Sequence, residues 1–147
     1  MSKIVIIGAG AMGSAFALPC LDNDHDVNIV GTHLENDFID NLQRKNNLHP
    51  GLNTKIPQEV KIFKFEKFDE LLKSNVDLIV LGISSKGIEW AADQLSRLYK
   101  DGKIPKLLML TKGLSIYNNQ YELLVDKLER LLADRGIKKV DISAVGG

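Results

Sequence analysis

Lys3-Ile4-Val5-Ile6-Ile7-Gly8-Ala9-Gly10-Ala11-Met12-Gly13 opens the chain as a short apolar strand running directly into a GxGxxG loop. A buried parallel strand must turn tightly if a helix is to begin beneath an anionic ligand, and the three glycines suit that geometry. Gly8 permits the turn, Gly10 lets the backbone approach the ligand, and Gly13 lets the helix pack close to the strand. The helix predicted from Ala11 to about Leu21 then offers its unpaired N-terminal N–H groups and the positive end of its dipole. Glycines also mark ordinary turns. It is the setting between an apolar strand and a helical pattern that makes this loop a dinucleotide-binding candidate.

Outward from that loop, strands and helices alternate. Residues 22–26 carry turn chemistry, with His25 expected to face solvent at the amino edge of the sheet, and Val27 to Gly31 reads as the second strand. Glu35 to Lys45 places Phe38, Ile39 and Leu42 at helical spacing. Residues 46–57, with two prolines, a glycine and several asparagines, read as a long irregular loop of the kind that is often functional. Val60 to Phe65 suggests a strand near the sheet edge, Phe68, Leu71 and Leu72 a short helix, and Val76 to Ile83 a central strand buried on both faces. Ser84 and Ser85 suit the cap of a helix carrying Ile88, Ala91, Ala92, Leu95, Leu98 and Tyr99. Leu107 to Leu110 is a further strand. A helix from about Asn119 to Asp134, with Leu123, Leu124, Leu128, Leu131 and Leu132 as its core stripe, is expected to end at Gly136, before a last strand from Val140 to Val145. The fold class is α/β: a Rossmann-like, doubly wound, mainly parallel sheet with helices on both faces.

Composition narrows the function classes. With 147 residues, 44% of them hydrophobic, the chain is expected to form one domain over residues 1–147. Nineteen basic and 19 acidic residues leave a formal net charge of +0, and no basic stripe is interleaved with aromatics, so nucleic acid is not an expected partner. The single cysteine, Cys20, falls among Phe16, Ala17 and Leu21 and reads as core. No run has the length of a membrane span or the form of a signal peptide, so a cytoplasmic location and no membrane partner are expected, and no metal site is expected either.

Ligands of such sheets gather where strands end, near the switch in strand order. The residues to inspect are therefore Gly8 to Gly13, Thr32 and His33, Ser84 and Ser85, Thr111-Lys112-Gly113 and Gly146-Gly147. Lys112 is the cation that directly follows a strongly apolar strand, where an ammonium would neutralise a substrate phosphate or polarise a carbonyl. His33 reads equally well as a solvated residue at the start of a helix or as a ligand contact. After the second strand the chain has Gly31-Thr32-His33 in place of the acid that usually reads an NAD ribose, and His33, Arg44 or Lys45 would attract a 2′-phosphate. NADP is thereby favoured slightly over NAD, with Glu35 near enough to oppose it.

These motifs together resemble the N-terminal domain of NAD(P)-dependent sn-glycerol-3-phosphate dehydrogenases, the archaeal type above all. The residues that carry the resemblance are Ile7 to Ala15, Gly31-Thr32, Asn47-Leu48-His49-Pro50-Gly51 with Ile56-Pro57, Leu81 to Ser85, Thr111-Lys112-Gly113-Leu114 and Ile142 to Gly147. The resemblance implies cofactor contacts from Ala11, Met12, Thr32 and Lys112, a further contact of Lys112 with substrate, and a substrate contact at Gly147. Met12 departs from the aromatic that many bacterial members carry. It also implies reversible hydride transfer between dihydroxyacetone phosphate and sn-glycerol 3-phosphate, a separate helical domain holding the general acid/base, and a homodimer formed through that domain. This chain alone is then expected to be inactive. A ketopantoate-reductase-like enzyme, which shares the glycine loop, and a stand-alone dinucleotide-binding regulatory module are the alternatives.

Overall fold

A computed structural model describes residues 1–100 and 103–145. Its elements run β1 (Lys3–Ile7), α1 (Ala11–Asp22), β2 (Asp26–Val30), α2 (Asn36–Arg44), β3 (Leu48–His49), β4 (Thr54–Lys55), β5 (Lys61–Phe63), α3 (Phe68–Leu72), β6 (Leu78–Leu81), α4 (Ile88–Leu98), β7 (Lys106–Met109), β8 (Leu114–Tyr117), β9 (Gln120–Leu123), α5 (Leu124–Asp134) and β10 (Ile142–Ala144). Six strands form one parallel sheet in the order β10-β7-β6-β1-β2-β5. Counting only these six, the order is that of the doubly wound dinucleotide-binding sheet, and the strand order reverses between β1 and β6.

Apolar, β-branched strands at the centre and amphipathic helices outside dictate the layering. Val5 and Ile7 of β1 and Ile79 and Leu81 of β6 face the layer of α3, α4 and α5, with Phe68, Leu95 and Leu128 fully buried against them. Ile4, Ile6 and Val80 face the other way, onto Ala17 and Cys20 of α1 and Ile39 and Leu42 of α2. Cys20 is thus core, and burial pushes its thiol pKa up. The Tyr99 hydroxyl donates to the Leu72 carbonyl at 2.6 Å, joining the end of α4 to α3, and burial pushes its pKa up to about 12. His25 lies at the amino edge as expected, though half-buried, its Nδ1 accepting from the Ser2 N–H. Gly136, at φ +94°, ends α5 in the left-handed conformation expected of it.

Two segments differ from the sequence expectation. The helix expected from Asn119 begins only at Leu124, because residues 114–123 form the antiparallel β8–β9 hairpin. Asn118 and Asn119 both take positive φ, 51° and 63°, which makes the two-residue turn that matches strand twist. Leu123 therefore leaves the helical stripe and lies in a strand, 56% exposed. Residues 46–57 are not wholly irregular either: β3 and β4 pair antiparallel, with Asn46, Asn47 and Asn53 supplying positive-φ corners. The strands expected over 60–65 and 140–145 are shorter, and β5 occupies the sheet edge.

Candidate functional site

The glycine loop is knotted by backbone contact. Gly8 takes φ +110°, and a Cβ there would collide with the Gly82 carbonyl that follows β6. A Cβ on Gly13 would lie 2.7 Å from the Gly8 oxygen, and one on Gly82 would lie 2.9 Å from the Gly13 Cα. These three glycines let β1, α1 and β6 meet at the reversal of strand order. Gly10 is different: it has ordinary extended dihedrals, φ −68° and ψ −179°, and a Cβ there would meet no protein atom within 4 Å. Its lack of a side chain leaves open space above the amino end of α1.

That space belongs to a cavity of about 410 Å³ at the carboxyl edge of the sheet. Gly8, Gly10, Thr32, His33 and Ser84 all line it, so the structure brings together candidates separated by more than seventy positions. Ala11 and Met12 are exposed on the first turn of α1 and Gly13 is buried beneath it. Ser85 is exposed in the short 3-10 turn before α4, and Ser84 precedes that turn without a side-chain cap bond, contrary to the expected capping role. Ala11, Met12, Gly13, Ser85 and Lys112 are not in the cavity wall. Lys112 is exposed in the segment after β7, where the Thr111 hydroxyl donates to the Ile83 carbonyl and so ties that segment to the end of β6. Gly147 lies outside the described residues.

Three polar or aromatic wall residues, Glu35, Lys86 and Trp90, carry no firm role in the sequence alone. Glu35 reaches back so that its carboxylate accepts from the Thr32 N–H at 2.9 Å and from the Ala9 N–H at 3.2 Å. It puts a negative charge between the β1 and β2 loops. Lys86 supplies a cation to the same wall, and Trp90, on α4, lies 5.2 Å from the His33 ring, with Phe65 6.0 Å from that ring and 5.9 Å from Trp90. His33 is thus an exposed imidazole on an aromatic platform, whose ring face suits a planar ligand ring. The signal for Glu35 was its position about twenty residues beyond the glycine loop; Trp90 gave none apart from its place on the apolar helix.

An extended anionic ligand with aromatic rings fits these features. Backbone N–H groups and the α1 dipole favour a pyrophosphate above Gly10, and the platform of His33 and Trp90 suits a base. The family described as NAD-dependent glycerol-3-phosphate dehydrogenase N-terminus matches residues 3–144. The chain belongs to that family. Among its relatives, the NADP(+)-dependent glycerol-3-phosphate dehydrogenase of Archaeoglobus fulgidus is 30% identical over 140 residues, covering 95% of this chain and 40% of that enzyme. The glycerol-3-phosphate dehydrogenase [NAD(P)+] of Bacillus pumilus is 31% identical over 115 residues, 78% of this chain and 31% of that enzyme. The crystal structure of glycerol-3-phosphate dehydrogenase from Coxiella burnetii superposes with a TM-score of 0.74 at 21% identity, covering 99% of this chain and 41% of that one, a likeness of fold. The chain therefore spans about two fifths or less of the length of these family members. Among the described residues, no helix is long and apolar enough to cross a membrane.

Proposed function

We propose that this chain binds a nicotinamide dinucleotide in the cavity at the β1–β6 switch point and forms the cofactor-binding half of a glycerol-3-phosphate dehydrogenase. The single observation that carries this reading is Gly10, a residue with ordinary dihedrals whose would-be side chain points into the open cavity above α1. A reduced nicotinamide held there would supply the hydride for the carbonyl carbon of dihydroxyacetone phosphate, and a proton would have to reach the carbonyl oxygen to complete sn-glycerol 3-phosphate. This chain contributes binding and orientation. The Gly10 loop and α1 hold the pyrophosphate, and Thr32, His33 and Ser84 line the adenosine and central parts of the cavity. Lys112, at the carboxyl edge of β7, contributes an ammonium for the substrate phosphate or the developing alkoxide. Gly147 is assigned a substrate contact from the family resemblance.

The general acid/base belongs to a second, helical domain, which also forms the homodimer of a cytoplasmic enzyme. Family members more than twice as long as this chain support that division. For the cofactor, the Archaeoglobus relative's NADP(+) dependence and the Lys86 ammonium support NADP, with the His33 imidazole offering a hydrogen bond to a 2′-phosphate, whereas the Glu35 carboxylate in the same wall supports NAD. Calorimetric titration of NADPH and NADH, with nicotinamide absorbance followed on the same sample after addition of dihydroxyacetone phosphate, tests the reading. Weak binding without turnover is expected, since positioning without a proton donor leaves most of the barrier standing. Robust turnover by this chain would overturn the division of labour, and absence of any binding would overturn the function.

A further inference from the structure

The glycine loop is held from outside its own motif. The Ala9 carbonyl accepts two hydrogen bonds from buried side chains, one from Ser14 Oγ on α1 at 3.1 Å and one from His49 Nε2 on β3 at 2.9 Å. His49 is 2% exposed, and its Nδ1 lies 3.0 Å from the Gly51 N–H. A backbone N–H only donates and a backbone carbonyl only accepts, so Nδ1 is the acceptor and Nε2 carries the proton. The imidazole is neutral, in one tautomer, with both nitrogens satisfied. Phe38 of α2 meets the ring edge-on at a centroid distance of 5.3 Å, and the β3–β4 turn sits against the start of α1, where a Cβ on Gly51 would lie 3.4 Å from that of Ala11.

A trans peptide points its carbonyl and its N–H in opposite directions. Drawing the Ala9 oxygen toward Ser14 and His49 therefore turns the Gly10 N–H away from them, and Gly10 itself lines the cavity. The preceding peptide is held in the complementary sense, because the Ala9 N–H donates to Glu35 while the Gly8 oxygen packs against Gly13. His49 is not in the cavity wall, and neither is Ser14.

We propose that His49 is a positioning residue for the dinucleotide site: together with Ser14 it locks the Ala9–Gly10 peptide so that the Gly10 N–H and the first turn of α1 face the pyrophosphate. This gives the β3–β4 segment a role in cofactor binding with no contact to the cofactor. It rests on the function proposed above.

The test is the affinity of the 147-residue chain for NADPH and NADH, measured with its melting temperature, in His49→Leu, His49→Gln and Ser14→Ala. Leucine fills space but offers no donor, and it should weaken binding about tenfold or more through loss of a buried hydrogen bond that orients the loop. Glutamine offers a neutral Nε2 donor and should recover affinity to within about threefold of the unaltered chain. Ser14→Ala removes the second donor on the same carbonyl and should weaken binding about threefold or more. Where His49→Leu does not fold, the Ser14→Ala result and the retained binding of His49→Gln carry the same expectation. If the unaltered chain binds and folded His49→Leu or Ser14→Ala binds equally well, the positioning role is wrong while the function stands. Equal losses in leucine and glutamine variants would assign the effect to ring packing and overturn the hydrogen-bond role. If the unaltered chain binds neither cofactor, the functional reading and this inference both fall.

Discussion

The loop after β1 and the segment after β7 leave the same edge of one sheet, yet their polar and apolar groups are turned in opposite senses. In the β1 loop every contact that sets the backbone is internal: Gly8 against Gly82, the Ala9 N–H on Glu35, the Ala9 carbonyl on Ser14 and His49. After β7 the chain projects as the β8–β9 hairpin, and cross-strand register puts Leu114 opposite Leu123 and Ile116 opposite Tyr121 on its outer face. These four are 56% to 79% exposed. The inner face is polar. Arg130 of α5 donates two hydrogen bonds to Glu122 at 3.0 Å and stacks 3.7 Å over the Tyr117 ring. The guanidinium beside Glu122 holds its carboxyl below the usual range, so this anchor persists as the pH falls past the ordinary carboxylate value and is lost only on passing the lowered one. One loop is finished by its own domain; the other is tethered by charge and presents apolar surface to solvent. Substitutions in the first should therefore cost fold or ligand, and those on the outer face of the second should cost neither.

The largest effect is expected at Gly8. A Gly8→Ala change puts a Cβ into the Gly82 carbonyl at a residue whose φ is +110°, and should destabilise the fold by about 3 kcal/mol or more. A thermal melt within a degree or two of the unaltered chain would show that β1, α1 and β6 need not meet so closely. Lys112 comes next. In an enzyme completed by its catalytic domain, Lys112→Ala should lower kcat/KM for dihydroxyacetone phosphate about a hundredfold, with little change in melting temperature. Arginine should rescue poorly, because a planar fork does not replace a compact ammonium. Steady-state kinetics that left Lys112→Ala near normal would remove the lysine from the reaction.

Glu35 sharpens the comparison at a smaller scale. Glu35→Gln keeps an acceptor for the Thr32 N–H and removes the charge, so NADPH should gain on NADH by about five- to tenfold in competition titrations. An unchanged ratio would mean that the carboxylate serves the loop alone. The smallest effects belong to the outer hairpin face, where Ile116→Ser and Tyr121→Ser should each change stability by no more than about 0.5 kcal/mol. A larger loss in chemical denaturation would mean that the hairpin packs inward in solution.

How much of this the chain disclosed in advance follows from the range of the interactions involved. β1, the glycine loop and β6 were legible because continuous apolar runs and glycine spacing are local signals, and the doubly wound parallel class followed from the alternation of strands and helices; the order of the strands came only with the structure. The hairpin was not. Leu123 and Leu124 adjoin a genuine helical stripe at Leu128, Leu131 and Leu132, and that run extended the helix reading back over residues 119–123. The corrective signal was present in Asn118-Asn119 between two alternating stretches, the composition of a two-residue turn. Glu35 and His49 were visible as residue types but not as partners of Ala9, because contacts across 26 and 40 positions exist only once β2 and β3 are placed.

Gly10 separates a cofactor site from a plain turn most directly. Isothermal titration of NADPH and NADH into the unaltered chain and into Gly10→Val, with melting curves for both, isolates the site, since the dihedrals of Gly10 are open to valine and a Cβ there meets no protein atom within 4 Å. The expected result is a folded Gly10→Val domain that binds neither cofactor measurably while the unaltered chain binds at least one. A folded Gly10→Val protein with undiminished affinity would contradict it, and would reduce the loop to a turn.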